Sequence, residues 1–341
     1  MTDTRRHTLH DVARLSGVSY QTVSRVINNQ PYVSDETRER VQQAIIELDY
    51  RPNRAAQSLA GTRSHTLGMT TFGLNNYGPA QMVINVEEAS RAAGYDLILA
   101  NVKNTGFASL HTAINYIRRW EVDGLLVITP IITSNYEALQ ALCGSTPVVL
   151  IGVGVGLDVP SVAVDQEEGT RQMTQHLIDL GHKSFCEISG SLVWFDAMER
   201  HESWLKTLYT AGITPGRSIE GDWTAESGYR AVYELIRRGE RFTALVVGND
   251  QMALGAIHAL HEHHLRVPED ISVVGFDDIP EAAYFSPPLT TVRQDFGVLG
   301  KLGVECLIER INNPGLKLAQ RVIKPRLMVR ASTAQPAFAR D

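Results

Sequence analysis

What most constrains this chain is an alternation of short apolar runs with amphipathic stretches that holds from residue 66 almost to the end. Residues 124–128 (GLLVI) and 147–151 (PVVLI) have no polar face. A strand with one wet face alternates, so strands apolar on both sides must be covered on both sides, as parallel strands are by their crossover helices. The spacing predicts strands over 66–71, 96–101, 124–128 and 147–151, with helices over 81–93 and 110–119. After residue 164 the rhythm starts again: helix 168–180, strand 184–189, helices 197–210 and 228–238, strand 244–247, helix 251–262 and strand 271–276. Two successive βα sets make an α/β protein with two doubly wound parallel sheets; a helix over 296–310 and short strands at 320–323 and 327–329 complete it. At 341 residues the chain is too long for one ordinary core.

The first 50 residues are built differently. Thr8-Leu9-His10-Asp11 has the form of a capping box, Val12, Ala13 and Leu15 supply a short apolar face, and Ser16-Gly17-Val18 makes a tight turn ending at Ser19, the next N-cap. On the helix that follows, Thr22, Val23, Val26 and Ile27 share one side, while Gln21, Ser24, Arg25 and Asn28 share the other with Tyr20 at its edge. Ser34 caps a third helix to about Leu48, whose Val41, Ala44, Ile45 and Leu48 close over Val12, Leu15, Val23 and Ile27. The pattern is that of a helix-turn-helix whose second helix fits a major groove and carries long side chains, Gln21 and Arg25, suited to base edges. An ordinary amphipathic helical hairpin has the same periodicity.

Open α/β sheets bind ligands beyond the carboxyl ends of their strands. That rule places Asn249-Asp250, Asp277-Asp278 and the loop before Arg200 around one cleft, with Trp223 nearby. Arg, Asn and Asp offer hydroxyls paired donors and acceptors, and an indole covers the apolar face of a pyranose, so the set suits a sugar.

Leu9-His10-Asp11-Val12-Ala13, the run from Gly17 to Val26, Tyr50-Arg51-Pro52-Asn53-Arg54, Gln57-Ser58-Leu59-Ala60-Gly61, Asn249-Asp250-Gln251-Met252-Ala253-Leu254-Gly255, the run from Ile271 to Asp278 and that from Pro288 to Phe296 together resemble the LacI/GalR family, most nearly its lac branch. The resemblance implies a three-helix headpiece over 1–52, a hinge helix over 53–63 and a periplasmic-binding-protein-like core over 64–332, with a short tail over 333–341. It divides the core into an N-subdomain (64–164 and 296–323) and a C-subdomain (166–294 and 324–332), the chain crossing near Asp165, Asp295 and Lys324. DNA contacts are implied at Thr8, Leu9, Ser19, Tyr20, Gln21, Thr22, Ser24, Arg25, Asn28, Tyr32, Ser34, Thr37, Asn53, Ala56 and Leu59, the last as a minor-groove wedge. Effector contacts are implied at Phe72, Met82, Arg200, Trp223, Asn249, Asp277, Gln294 and Phe296. Tyr20, Gln21 and Arg25 match the base-reading residues of the lac branch, so the implied operator is pseudo-palindromic and lac-like.

The resemblance therefore implies a homodimeric repressor of double-stranded operator DNA that answers to a small sugar or glycoside. A corepressor-type effector, or a sugar-binding transport protein of the same architecture, are the other readings. The chain departs from the lac branch in one wall of the cleft, where an aspartate is replaced within Leu150-Ile151-Gly152-Val153, a serine by Phe72 and an arginine by Asn104. A ligand with a less polar substituent fits that wall better.

The net charge of −6 is unevenly spread: residues 1–63 hold nine Arg against seven acidic residues, a balance of +2, so the remainder carries −8. A cationic end on an acidic body presents that end to DNA. Cys143, Cys186 and Cys306 lie far apart without metal spacing, as buried thiols of a reducing cytosol do. No apolar leader precedes the first helix and no run reaches membrane-spanning length, which points to a cytoplasmic protein. Gly152-Val153-Gly154-Val155-Gly156 is not followed by a helix start, so no phosphate-binding turn and no cofactor is expected there. His258, His261, His263 and His264 end an amphipathic helix and are read as a surface, with no metal. No catalytic constellation appears, so no enzyme is expected.

Overall fold

The structure, a computed structural model, describes residues 7–27, 30–50, 63–103, 106–128 and 136–336. The chain forms two compact units, Met1–Ser64 and His65–Asp341.

In the first unit α1 (Leu9–Ser16) starts at a complete capping box between Thr8 and Asp11 and stops at Gly17, whose φ of 68° only glycine adopts without strain. Ser19 accepts the Thr22 N–H at 3.1 Å and starts α2 (Tyr20–Ile27); Ser34 accepts the Thr37 N–H at 3.4 Å and starts α3 (Asp35–Glu47). Val12, Ala13, Val23, Val26, Val41 and Ala44 form the core, and Tyr50 packs into it after α3 ends. Leu15 is not part of it and stands 45% exposed. At 100° per residue it lies roughly 110° from the centre of the face shared by Val12, Ala13 and Ser16. Ser16 takes the inward place instead, donating its hydroxyl to the Val12 carbonyl at 2.6 Å.

The second unit opens with β1 (Thr66–Phe72), α4 (Tyr77–Ala92), β2 (Asp96–Val102), α5 (Phe107–Arg118), β3 (Gly124–Ile128), α6 (Tyr136–Cys143), β4 (Val148–Ile151) and β5 (Ser161–Val164). Then come α7 (Gln166–Asp179), β6 (Phe185–Ser189), α8 (Phe195–Thr210), β7 (Ser218–Glu220), α9 (Ala225–Arg237), β8 (Ala244–Val247), α10 (Asp250–Glu262) and β9 (Ser272–Asp277). A 3₁₀ turn at Pro280–Tyr284 leads to β10 (Thr290–Arg293), α11 (Phe296–Asn312), β11 (Arg321–Ile323) and β12 (Arg326–Met328). The first sheet runs β11-β5-β4-β3-β1-β2 and is wholly parallel; the second runs β12-β10-β9-β8-β6-β7 and is parallel except for β12.

Apolar runs without a polar face serve two cores at once. Leu125, Val127, Val148 and Leu150 point into one cluster and Leu126, Ile128, Val149 and Ile151 into another, on the opposite side of the same strands. Sheet membership changes between Val164 and Gln166, between Arg293 and Phe296, and between Ile323 and Arg326. α6, β5, β7 and β10 are additions to the sequence reading. In β10 the reason is plain: Thr290 and Thr291 look polar, yet both are fully buried, their hydroxyls engaged by Arg330 N–H and by Asp250. All three cysteines are buried thiols, and no described helix is long and apolar enough to cross a membrane.

Candidate functional site

Three strand ends of the second sheet converge on a cavity of about 660 Å³, its mouth included. β6 leads through a loop to α8, which carries Arg200; β8 leads to Asn249; β9 ends at Asp277. Arg200 is 5% exposed and organises the polar wall. It donates from Nε to Gln166 at 2.9 Å and from Nη1 to the Gly248 carbonyl at 2.6 Å, with Nη2 3.9 Å from Asp277. Its guanidinium carbon lies 3.7 Å from the centre of the Phe276 ring. Gln166 donates onward to Gln294 at 3.0 Å, and Gln294 to Asp277 at 2.6 Å. The wall is thus a hydrogen-bonded chain from Arg200 to Asp277, closed by the ion pair between the two.

Burial pushes the Asp277 pKa up to about 6, with Arg200 and Gln294 opposing the rise. Its backbone is at φ 111° and that of Trp223 at φ 74°, conformations that cost about 1–3 kcal/mol each and gather where a ligand is held. The neighbouring Asp250 anchors this geometry, accepting from Ile279 N–H at 2.9 Å and from the Thr291 hydroxyl at 2.5 Å. Asp278 points the other way, to Arg293 and Arg330. Asn249 caps α10 through Met252 N–H at 2.9 Å and donates to the Trp223 carbonyl at 3.1 Å. Trp223 lies on Gly190, where any Cβ would fall 2.0 Å from the ring, and its buried Nε1–H has no acceptor among the described residues.

The facing wall, from the first sheet's side, is mainly apolar: Phe72, Met82, Ile128 and Gly152 line it, with Asn76 and Tyr77 as its polar members. Trp194 bridges the two walls, 5.1 Å from Phe72 and edge-on to Trp223 at 5.7 Å between ring centres. Seven of the sequence-derived effector residues line the cavity. Phe296 does not; it is buried behind Tyr77, edge-on at 6.0 Å.

In the first unit α2 turns Tyr20, Gln21 and Arg25 to solvent, with Ser24 beside them. His10 braces Tyr20 at 5.0 Å between rings. Thr8, Ser19 and Ser34 are exposed hydroxyls at helix N-termini, with Leu9, Thr22 and Thr37 in the first turns, and Tyr32 projects at 95% exposure. Asn28, Asn53, Ala56 and Leu59 lie outside the described residues, as does Asn104.

Residues 8–53 match the model of bacterial regulatory proteins of the lacI family, and residues 174–333 that of a periplasmic binding protein-like domain. The lactose operon repressor of Escherichia coli K12 is 37% identical over 96% of this chain and 91% of its own length. The chain belongs to the LacI family. The HTH-type transcriptional repressor PurR of Pasteurella multocida is also 37% identical, over 95% of this chain and 98% of its own. Among solved structures, a lac repressor dimer bound to operator and the anti-inducer ONPF superposes with a TM-score of 0.90 at 37% identity, covering 97% of this chain and 100% of that one.

Within this LacI-family cleft the sequence reading missed Gln166, Trp194 and Asp196. Gln166 is the first residue after a crossing between sheets and carries no motif. Trp194-Phe195-Asp196 carries a signal in its sequence, two aromatic rings and a carboxylate closely following a strand's carboxyl end, where α8 starts.

Proposed function

We propose that this chain is a homodimeric repressor of a pseudo-palindromic, lac-like operator, released from it by a small sugar or glycoside. The solvent face of α2 carries the reading: Tyr20, Gln21 and Arg25 stand exposed on a helix set to enter a major groove. Thr8, Ser19 and Ser34, at helix N-termini, suit phosphate contacts that fix register. Asn28, Asn53, Ala56 and Leu59 complete the DNA contacts. A palindrome requires a two-fold partner.

In the cleft Arg200, Asn249, Asp277 and Gln294 hold hydroxyls, Trp223 covers a ring face, and Phe72 and Met82 meet an apolar substituent. Effector changes the angle between the two sheets' subdomains, which disfavours the DNA-binding state by differential affinity. The protein works in the cytoplasm and transforms no substrate.

Fluorescence anisotropy with a lac-operator duplex tests both halves. Arg25→Ala weakens binding tenfold or more, since a good bidentate base contact carries about 1–3 kcal/mol, and relaxes preference at particular base pairs. Asp277→Ala binds operator like wild type but is no longer released by the sugar that releases wild type. Failure to bind the duplex sinks the operator assignment, and release of both proteins alike sinks the sugar site.

A further inference from the structure

The cleft holds a second carboxylate to which the reading above gives no task. Asp196 is in the first turn of α8 and lines the same cavity as Arg200 and Asp277. Arg200 follows one helical turn along, about 5.4 Å, but its two hydrogen bonds go to Gln166 and the Gly248 carbonyl, and its Nη2 is turned to Asp277 at 3.9 Å. Asp196 feels the charge of Arg200 but accepts no hydrogen bond from any described group.

A half-buried carboxylate without a donor is costly, and burial raises its pKa accordingly. The rings beside it keep water scarce: Trp194 leans on Phe72, and Phe195 presses so closely on Gly154 that a Cβ there would lie 2.1 Å from the ring. Of the charged groups lining the cavity, Asp196 and Asp277 stand against Arg200 alone, so the recess is acceptor-rich and carries an excess of negative charge.

We propose that Asp196 is a specificity-determining residue of the effector cleft: it takes a hydrogen-bond donor of the effector, a hydroxyl or an ammonium, and it excludes effectors bearing phosphate or carboxylate. This rests on the reading of the cleft as a sugar-effector site. A neutral or cationic ligand supplies the donor that the protein withholds, whereas an anion meets like charge in a poorly hydrated recess.

Calorimetry on the full chain tests it with methyl galactoside, methyl glucoside, galactosamine, glucosamine, galacturonate and glucose 6-phosphate, against wild type, Asp196→Asn, Asp196→Ser and Asp277→Ala. The asparagine is isosteric, and a thermal melt of each variant controls for folding. Wild type should bind an uncharged or amino sugar and neither anionic one; Asp196→Ser should lose tenfold or more for the bound sugar, and Asp196→Asn should gain tenfold or more for an anionic one. An amino sugar preferred by wild type, with the preference gone in Asp196→Asn, identifies the donor as ammonium. Equal losses for amino and parent sugars identify a hydroxyl. Anionic sugars bound by wild type as tightly as their parents overturn the proposal. So does an Asp196→Asn variant whose affinities for the bound sugar and for the anionic sugars both match wild type; if Asp277→Ala then abolishes binding, the sugar site itself stands. No binding by any probe overturns both readings.

Discussion

The two walls of the cleft are made of different material. The wall from the second sheet is a polar network in which Arg200 donates to Gln166, Gln166 to Gln294 and Gln294 to Asp277. The wall from the first sheet offers Phe72, Met82, Ile128 and Gly152, with no charged group among them. One wall holds its polar side chains in place through one another, which lowers the ordering cost of any polar contact made there. The other contributes mainly shape, and of its side chains the half-buried Phe72 stands outside the core that holds Met82 and Ile128.

Arg200→Ala tests that contrast most severely. It leaves Asp277 buried without its counter-ion and Gln166 without the donor to its carbonyl oxygen, and breaking a buried ion pair costs about 3–5 kcal/mol, so the melting temperature should fall sharply as sugar binding is lost. A variant that melts like wild type would show that the polar wall is not self-supporting. Phe72→Ala should have a smaller and different effect, since the half-buried ring loses its contact with Trp194 while no polar group is orphaned. Affinity for a nitrophenyl glycoside should drop about tenfold, roughly 1.4 kcal/mol, with the methyl glycoside and the melt nearly unchanged. Loss for both glycosides alike would erase the division of labour.

The smallest effect is expected at the seam. Glu199 of α8 accepts a backbone hydrogen bond from Val155 on the opposite side, and burial together with Asp196 raises its pKa from the ordinary 4.5 to about 8. Between those values the folded chain holds a proton that the unfolded chain has released, so this group's contribution to stability falls as pH rises from 4.5 through 8. Glu199→Gln removes that slope: melts should show no gain near the acid end and a gain over wild type that grows as pH rises towards 8. The same slope in both proteins would place the carboxylate in water.

Much of this was legible in sequence because it depends on short-range rules. Strands apolar on both faces fixed the two-sheet architecture, and Thr8, Ser19 and Ser34 marked the helix starts of the headpiece. Arg200, Asn249 and Asp277 were found because strand ends are where such sheets bind. Longer-range effects stayed hidden. Gln166 meets Arg200 across 34 residues and Gln294 across 128, and no local pattern encodes either partner. Asp196 was lost to a boundary, since α8 begins at Phe195 and not at residue 197. Those two residues place Asp196 four before Arg200, on the same helix face, which a loop assignment cannot reveal.

The order of the strands also sets a timetable. The first sheet is nearly all encoded by Val164, but its cover, α11, and its edge, β11, come only after the strands β6 to β10 of the second sheet. Leu299, Val304, Leu307 and Ile311 of α11 are the side chains that seal Leu126, Val149 and Ile151. From Val164 to the end of α11 at Asn312 is roughly 150 residues, or about 8–30 s of synthesis at 5–20 residues per second. On the ribosome the half that is made first is finished last, and for that interval β3, β4 and β5 stand uncovered on one face while α4 covers only β1 and β2.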